Sequence, residues 1–160
     1  MTLVGKGANG AGGTAGESTR GILLRRGTAG RYANHIVVGF GTSGFDVDNT
    51  ETVGRAVADS MNVFNSIVFS NAANFDTDGD GIDEESWFLD ASRSNQVADP
   101  LLANPFDRAN PDFRPGAGSP AVGNGAAPPA DGWFDAVDFI GAVANGATEW
   151  YKAAWTRWGS

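Results

Sequence analysis

The densest chemistry in the chain lies between Asp76 and Glu85. Asp76, Asp78 and Asp80 alternate along one curl and turn three carboxylates to its inside. Gly81 permits the sharp turn, Ile82 offers a backbone carbonyl, and Glu84 or Glu85 can add a further carboxylate. Hard oxygen donors of this kind suit calcium (Ca2+), in a structural role that holds a loop. From Asp76 to Asp90 seven residues are acidic and none is basic, so without a cation the loop repels itself. The alternative is an acidic, Gly-kinked surface loop with no bound ion.

A second acidic pair, Asp46 and Asp48, sits two residues apart on a strand-like run, with Glu51 close by. That spacing is about 6.6 Å on one face of a strand. It could serve a glycosidase pair, or a calcium-dependent lyase in which Arg25 or Arg26 from an adjacent coil is the base. A solvated strand face is the plainer reading. His35 is the one histidine, and no Ser-His-Asp elbow, HExxH pair or phosphate loop accompanies it. It reads as a surface histidine, and Gly5–Gly10 lacks the Gly-Lys-Ser/Thr ending of a phosphate cradle. No catalytic residue is assigned, and the chain is not expected to be an enzyme.

The third feature is aromatic. On a helical projection Trp150, Tyr151, Ala154, Trp155 and Trp158 fall within an arc of about 140°. Trp150, Tyr151, Trp155 and Trp158 can therefore pack on the protein's own sheet, dock a protein partner or membrane interface, or stack on a sugar.

Composition narrows the classes. The net charge of −8 argues against nucleic acid. Residues 1–40 hold five basic and one acidic residue, the remainder six and eighteen, so the first third could meet an acidic surface. Cysteine is absent, which removes disulfides, thiolate catalysis and Cys-ligated metal. No run of apolar residues and Gly exceeds six, too short for a helical span, and no secretion signal opens the chain. Six of the first sixteen residues are Gly, which suits the middle of a repeat protein better than a natural start.

The elements that must position these groups are short. Thr2–Val4, Gly21–Arg25, His35–Phe40, Phe45–Val47 and Ser66–Ser70 are strand-length runs bounded by Gly, Asn, Asp or Ser. Alternation places Ile36, Val38 and Phe40 on one face with His35 and Val37 opposite, and points Phe45 and Val47 inward with Asp46 and Asp48 outward. Before residue 133 only Thr52–Phe64 carries a helical stripe. Hairpin turns suited to a sandwich are missing between the runs, so a parallel β-helix of two to three coils fits better. Asn34 and Asn65 precede strand cores and suit stacking or turn capping. All seven prolines lie in 99–129, which must be extended wrap anchored by Leu101, Leu102, Phe106 and Phe113 rather than central sheet.

The rungs Gly21–Gly30, Tyr32–Phe40, Gly44–Asp48 and Asn65–Phe69 resemble exported bacterial right-handed parallel β-helix proteins of the pectate-lyase-like superfamily. The segments Asp99–Leu102, Pro111–Pro115 and Gly118–Ala121, and the ending Val137–Ala142 with Trp150 and Trp155, resemble their closing portion. The acidic curl is similar to the calcium loops of EF-hands, dockerins and thrombospondin type-3 repeats, except that Trp87 stands where a bidentate acid would close the loop. These resemblances imply an all-β chain with β-helix coils over 1–75, an acidic loop and following segment over 76–98, an extended wrap over 99–132 and an aromatic helix or turn within 133–160. They imply a non-catalytic accessory subunit in the periplasm or at the cell surface, docked on a larger protein or membrane-associated assembly. Its partner would cover the open coil end or the Trp-rich tail. A polysaccharide-binding or -cleaving module is the competing expectation.

Overall fold

Short β-branched and aromatic runs separated by Gly, Asn and Asp can only pair with runs from elsewhere in the chain, and they do so in parallel. The computed structural model describes residues 1–13 and 16–159; Thr14, Ala15 and Ser160 lie outside them. The strands are β1 (Thr2–Val4), β2 (Arg20–Leu24), β3 (Gly30–Ala33), β4 (Ile36–Val38), β5 (Ser43–Val47), β6 (Met61–Phe64), β7 (Ile67–Phe69), β8 (Ala73–Phe75), β9 (Gln96–Val97), β10 (Leu102–Asn104) and β11 (Asp112–Pro115). Helices α1 (Thr50–Val57) and α2 (Glu84–Phe88) interrupt them. The result is a β-rich chain with three parallel sheets, ordered β1-β4-β7-β9, β2-β5-β8 and β3-β6.

Register ties the sheets together. Leu3 pairs with Val37 and Val37 with Val68; Ile22 pairs with Phe45 and Phe45 with Phe75; Tyr32 pairs with Val63. Most of these ladders return to the same position about thirty residues later. One core gathers Val37, Phe45, Val47, Met61, Val63, Val68 and Phe88 from all three sheets and α2. Ile36, Val38 and Ile67 point the other way, where Ala121 and Ile140 cover them. Phe40 departs from the expected alternation and joins the first core. Strand β4 ends at Val38, and Gly39 takes φ +81, a backbone conformation that reverses the side-chain order.

Buried amides satisfy the corners. Asn71 accepts from Phe40 N at 2.9 Å and donates to Val37 O at 3.2 Å. Asn95 accepts from Ser66 N at 2.9 Å and donates to Val63 O and Phe88 O. Backbone groups at bends cannot join a ladder, and these side chains replace the missing partners.

The Pro-rich segment lies over the outer face of the first sheet. Leu102 and Phe106 pack there, whereas Leu101 is exposed at φ +49 and Phe113 turns to Tyr151 and Trp158. β10 and β11 pair antiparallel within this segment. Asn34 and Asn65 both adopt positive φ and tether the wrap, donating to Ala126 O and Asn124 O at 2.9 Å each.

Two helical expectations change, and the tail keeps to the helix or turn expected of it. The stripe over 52–64 is a helix only to Val57, capped by Asn49; Met61–Phe64 is strand because Met61 and Val63 alternate into the core beside β3. α2, which lacks a long stripe, forms behind Asp83, whose carboxylate accepts from Ser86 N at 3.0 Å. The aromatic tail holds one 3₁₀ turn, Trp150–Lys152. No helix among the described residues is long and apolar enough to cross a membrane.

Candidate functional site

The acidic loop closes onto β5. Phe45 and Val47 point into the core as alternation requires, so Asp46 lies on the opposite face, where solvent was expected. Asp46 is instead 1% exposed. Arg20 on β2 reaches across, with Nε 2.5 Å from Asp46 Oδ2 and Nη2 3.6 Å from Asp76 Oδ2. Asp46 Oδ1 is buried with no hydrogen-bond partner among the described residues. Burial pushes the Asp46 carboxyl up to about 6, against the lowering by the Arg20 hydrogen bond. Arg20 is thus the cation paired with Asp46, whereas Arg25, exposed, acts on Asp48 through its charge, and Arg26 is exposed.

Carboxylate oxygens of Asp46, Asp76 and Asp78 lie within 4.8 Å of one another, and so do those of Asp48, Asp78 and Asp80. Asp78 belongs to both groups. Contact with the Asp80 carboxylate raises the Asp48 carboxyl. Asp80 Oδ2 also accepts from Asn49 N at 2.5 Å, which fixes the loop against the start of α1. The structure therefore brings Asp76, Asp78 and Asp80 together and adds Asp46 and Asp48 to them. It does not bring Glu84 there. The Glu84 carboxylate is buried, accepts from Val47 N and from Asp76 N (2.9 Å), and is pushed up to about 7 by that burial. The Ile82 side chain packs against the core, Glu85 is exposed, and Glu51 lies outside both acidic groups.

His35 is buried rather than on the surface. It lines a cavity of about 690 Å³ with Arg31, Tyr32, Phe64, Phe134 and Asp135. Its Nδ1 has no partner among the described residues, and burial, then the Met1 ammonium, pushes the imidazole down to about 4.

The four tail aromatics divide in two. Tyr151 is buried, donates from Oη to Asp112 Oδ1 at 3.1 Å and accepts from Phe113 N at 3.2 Å; burial pushes its phenol up to about 12. Arg114 holds the Asp112 carboxyl well below the usual range. Trp158 packs edge-on against Phe113 and donates from Nε1 to Tyr151 O at 2.9 Å. Trp150 and Trp155 stack on each other at 6.0 Å and stay 49% and 71% exposed. Tyr151 is the buried anchor of the tail, Trp158 is bound to it though partly open to solvent, and Trp150 and Trp155 are the more exposed pair.

Sequence reasoning missed Arg20 and the Trp87–Phe88 plug. Phe88 lies 5.1 Å from Phe45 and 5.3 Å from Phe75, and Trp87 stacks on Phe45 at 6.1 Å beneath the Arg93 guanidinium. Arg20 could be found only from register, since Leu23 pairs with Asp46 across two strands that are far apart in sequence. No family model, no curated protein and no solved structure matches this chain.

Proposed function

We propose that the chain is a short right-handed parallel β-helix acting as a non-catalytic structural and interaction module, an accessory subunit of a larger extracytoplasmic assembly. Three parallel ladders that recur about every thirty residues support the solenoid, and its hand follows the rule for parallel crossovers. The observation that carries the docking role is a contrast along each ladder. Val37, Phe45 and Val63 are sealed, whereas their partners one coil earlier, Leu3, Ile22 and Tyr32, are only partly buried. Beyond β1, β2 and β3 no further strand pairs among the described residues. An apolar end with free backbone groups accepts a strand from another polypeptide. Trp150 and Trp155 supply a second contact surface, and an oxygen-rich acidic loop suits an extracytoplasmic setting.

The test is isolation from the native source without denaturant, by size exclusion coupled to mass spectrometry. Co-migration with a defined protein set, lost when Ile22→Lys breaks the open end, is expected. A species holding no other polypeptide overturns the docking role. The stacked Trp150 and Trp155 faces favour one second reading, polysaccharide binding. A lone species that is retarded in a polysaccharide gel, and released by Trp155→Ala, would establish it.

A further inference from the structure

A cluster of carboxylates in a surface loop alone assigns no ligand. Its distinguishing feature is Asp46. That side chain enters the cluster from β5, through the wall of the fold, and is nine-tenths buried or more. Arg20 occupies its Oδ2, while Oδ1 has no donor from any described residue. A buried anionic oxygen without a partner is rare in a folded chain and points to a bound cation or water. A water would donate to at most two of these carboxylates and bring no charge to offset their mutual repulsion, whereas a cation does both.

The geometry points to a calcium site assembled from two places in the sequence: Asp46 on β5 with Asp48 just after it, and Asp76, Asp78 and Asp80 from the loop after β8. Calcium takes oxygens at 2.3–2.6 Å, so opposite ligands stand about 5 Å apart. The oxygens within each acidic group lie within 4.8 Å of one another, close enough for the three carboxylates of a group to share an ion. Asp78, common to both groups, is the central ligand. Five carboxylates are met by the Arg20 guanidinium and, at Asp48 alone, by the charge of Arg25, so the local charge stays negative without an added cation. Zinc is a poor fit because no nitrogen or sulfur donor is present in either group. Magnesium demands a stricter octahedron and retains its waters, whereas carboxylates on a loop meeting a strand adapt to calcium.

The site would have a mechanical consequence. The same loop leads into Asp83, which caps α2, and into Glu84, which holds Val47 N and Asp76 N. An ion joining β5 to the loop therefore clamps α2 and its Phe88 over the core. This goes beyond docking at the opposite end and does not depend on it.

The experiment uses the full chain, stripped with chelator and titrated with calcium chloride by calorimetry, with thermal unfolding alongside. Expected are saturable binding, with a dissociation constant between about 10⁻⁶ and 10⁻³ M, and a rise in melting temperature at saturation. Magnesium chloride should bind about ten times more weakly or worse. Asp78→Asn, at an exposed position, should lower calcium affinity at least thirtyfold. Its ion-free melting temperature should equal or exceed that of the stripped parent, because repulsion is relieved. Asp46→Asn should also weaken binding, while Asp131→Asn, an exposed carboxylate elsewhere, should leave it unchanged. Absence of heat and of any melting shift, or Asp78→Asn and Asp46→Asn both binding as tightly as the parent, would overturn the site.

Discussion

The two ends of the fold treat the same ladders differently. At the far end, Phe88 from α2 sits over Phe45 and Phe75, with Trp87 stacked beside it. At the near end, Leu3, Ile22 and Tyr32 face the same core with no helix or further strand over them among the described residues. On the proposed reading of the chain as a solenoid, each terminal coil must be hidden or lent to a neighbour. Aromatic residues around α2 close one end, and over the other no further strand lies among the described residues. The closure is specific to the aromatic stack: Val97 on β9, beyond the plug in the first sheet, remains exposed.

The largest effect should come from breaking the closed end. Phe88→Ala removes a fully buried ring and should lose about 3–5 kcal/mol in urea unfolding. Tyr32→Ala, at the open end, should lose only about 1 kcal/mol in the isolated chain. Equal losses would mean that the ends are equally sealed. Next comes the corner amide of the plug. Asn95→Ala strands Ser66 N, Val63 O and Phe88 O and should lose about 2 kcal/mol by the same measurement.

Acidification should discriminate the flank that holds His35. The imidazole is neutral in the fold at about 4, below its ordinary 6.5, so the unfolded chain takes up the proton first. The contribution of His35 to stability is full above about pH 6.5 and falls as pH drops toward 4, by between about 1 and 2 kcal/mol after allowance for solvent screening. The raised Asp46 and Glu84 carboxyls work the other way over the same range, and the Met1 ammonium, Arg31, Tyr32 and Asp135 face the same cavity. The quantity to read is therefore the stability of the parent relative to His35→Phe, which should shift against the parent as pH falls from about 6.5 to about 4. The smallest effect on folding belongs to Trp155→Ala, within about 0.5 kcal/mol, since that ring is exposed. Its effect on assembly should be large, at least about tenfold in affinity, as for an aromatic contact centre.

Much of the strand layout was legible because it is local. Alternation in Phe45–Val47 and the Gly and Asn punctuation declare short strands without reference to the rest of the chain. The three loop aspartates were legible for the same reason. What could not be read depends on register across about thirty residues. Asp46 looks outward by alternation, and only Arg20 on the preceding coil and the loop from the following one bury it. Glu84, close in sequence to the aspartates, is drawn away because Val47 N needs an acceptor. His35 shares its cavity with Pro128, Pro129, Phe134 and Asp135, about a hundred positions away. Two helices misled in opposite ways: the 52–64 stripe ran on into a strand, and α2 is too short to show a period.

Whether the first three strands form an open docking end can be read from hydrogen–deuterium exchange on the isolated chain and on the protein in its native assembly. Amides of β1, β2 and β3 should exchange readily in the isolated chain and gain protection in the assembly, with α2 and β8 unchanged. Protection already complete in the isolated chain, or gained only around α2, would contradict it.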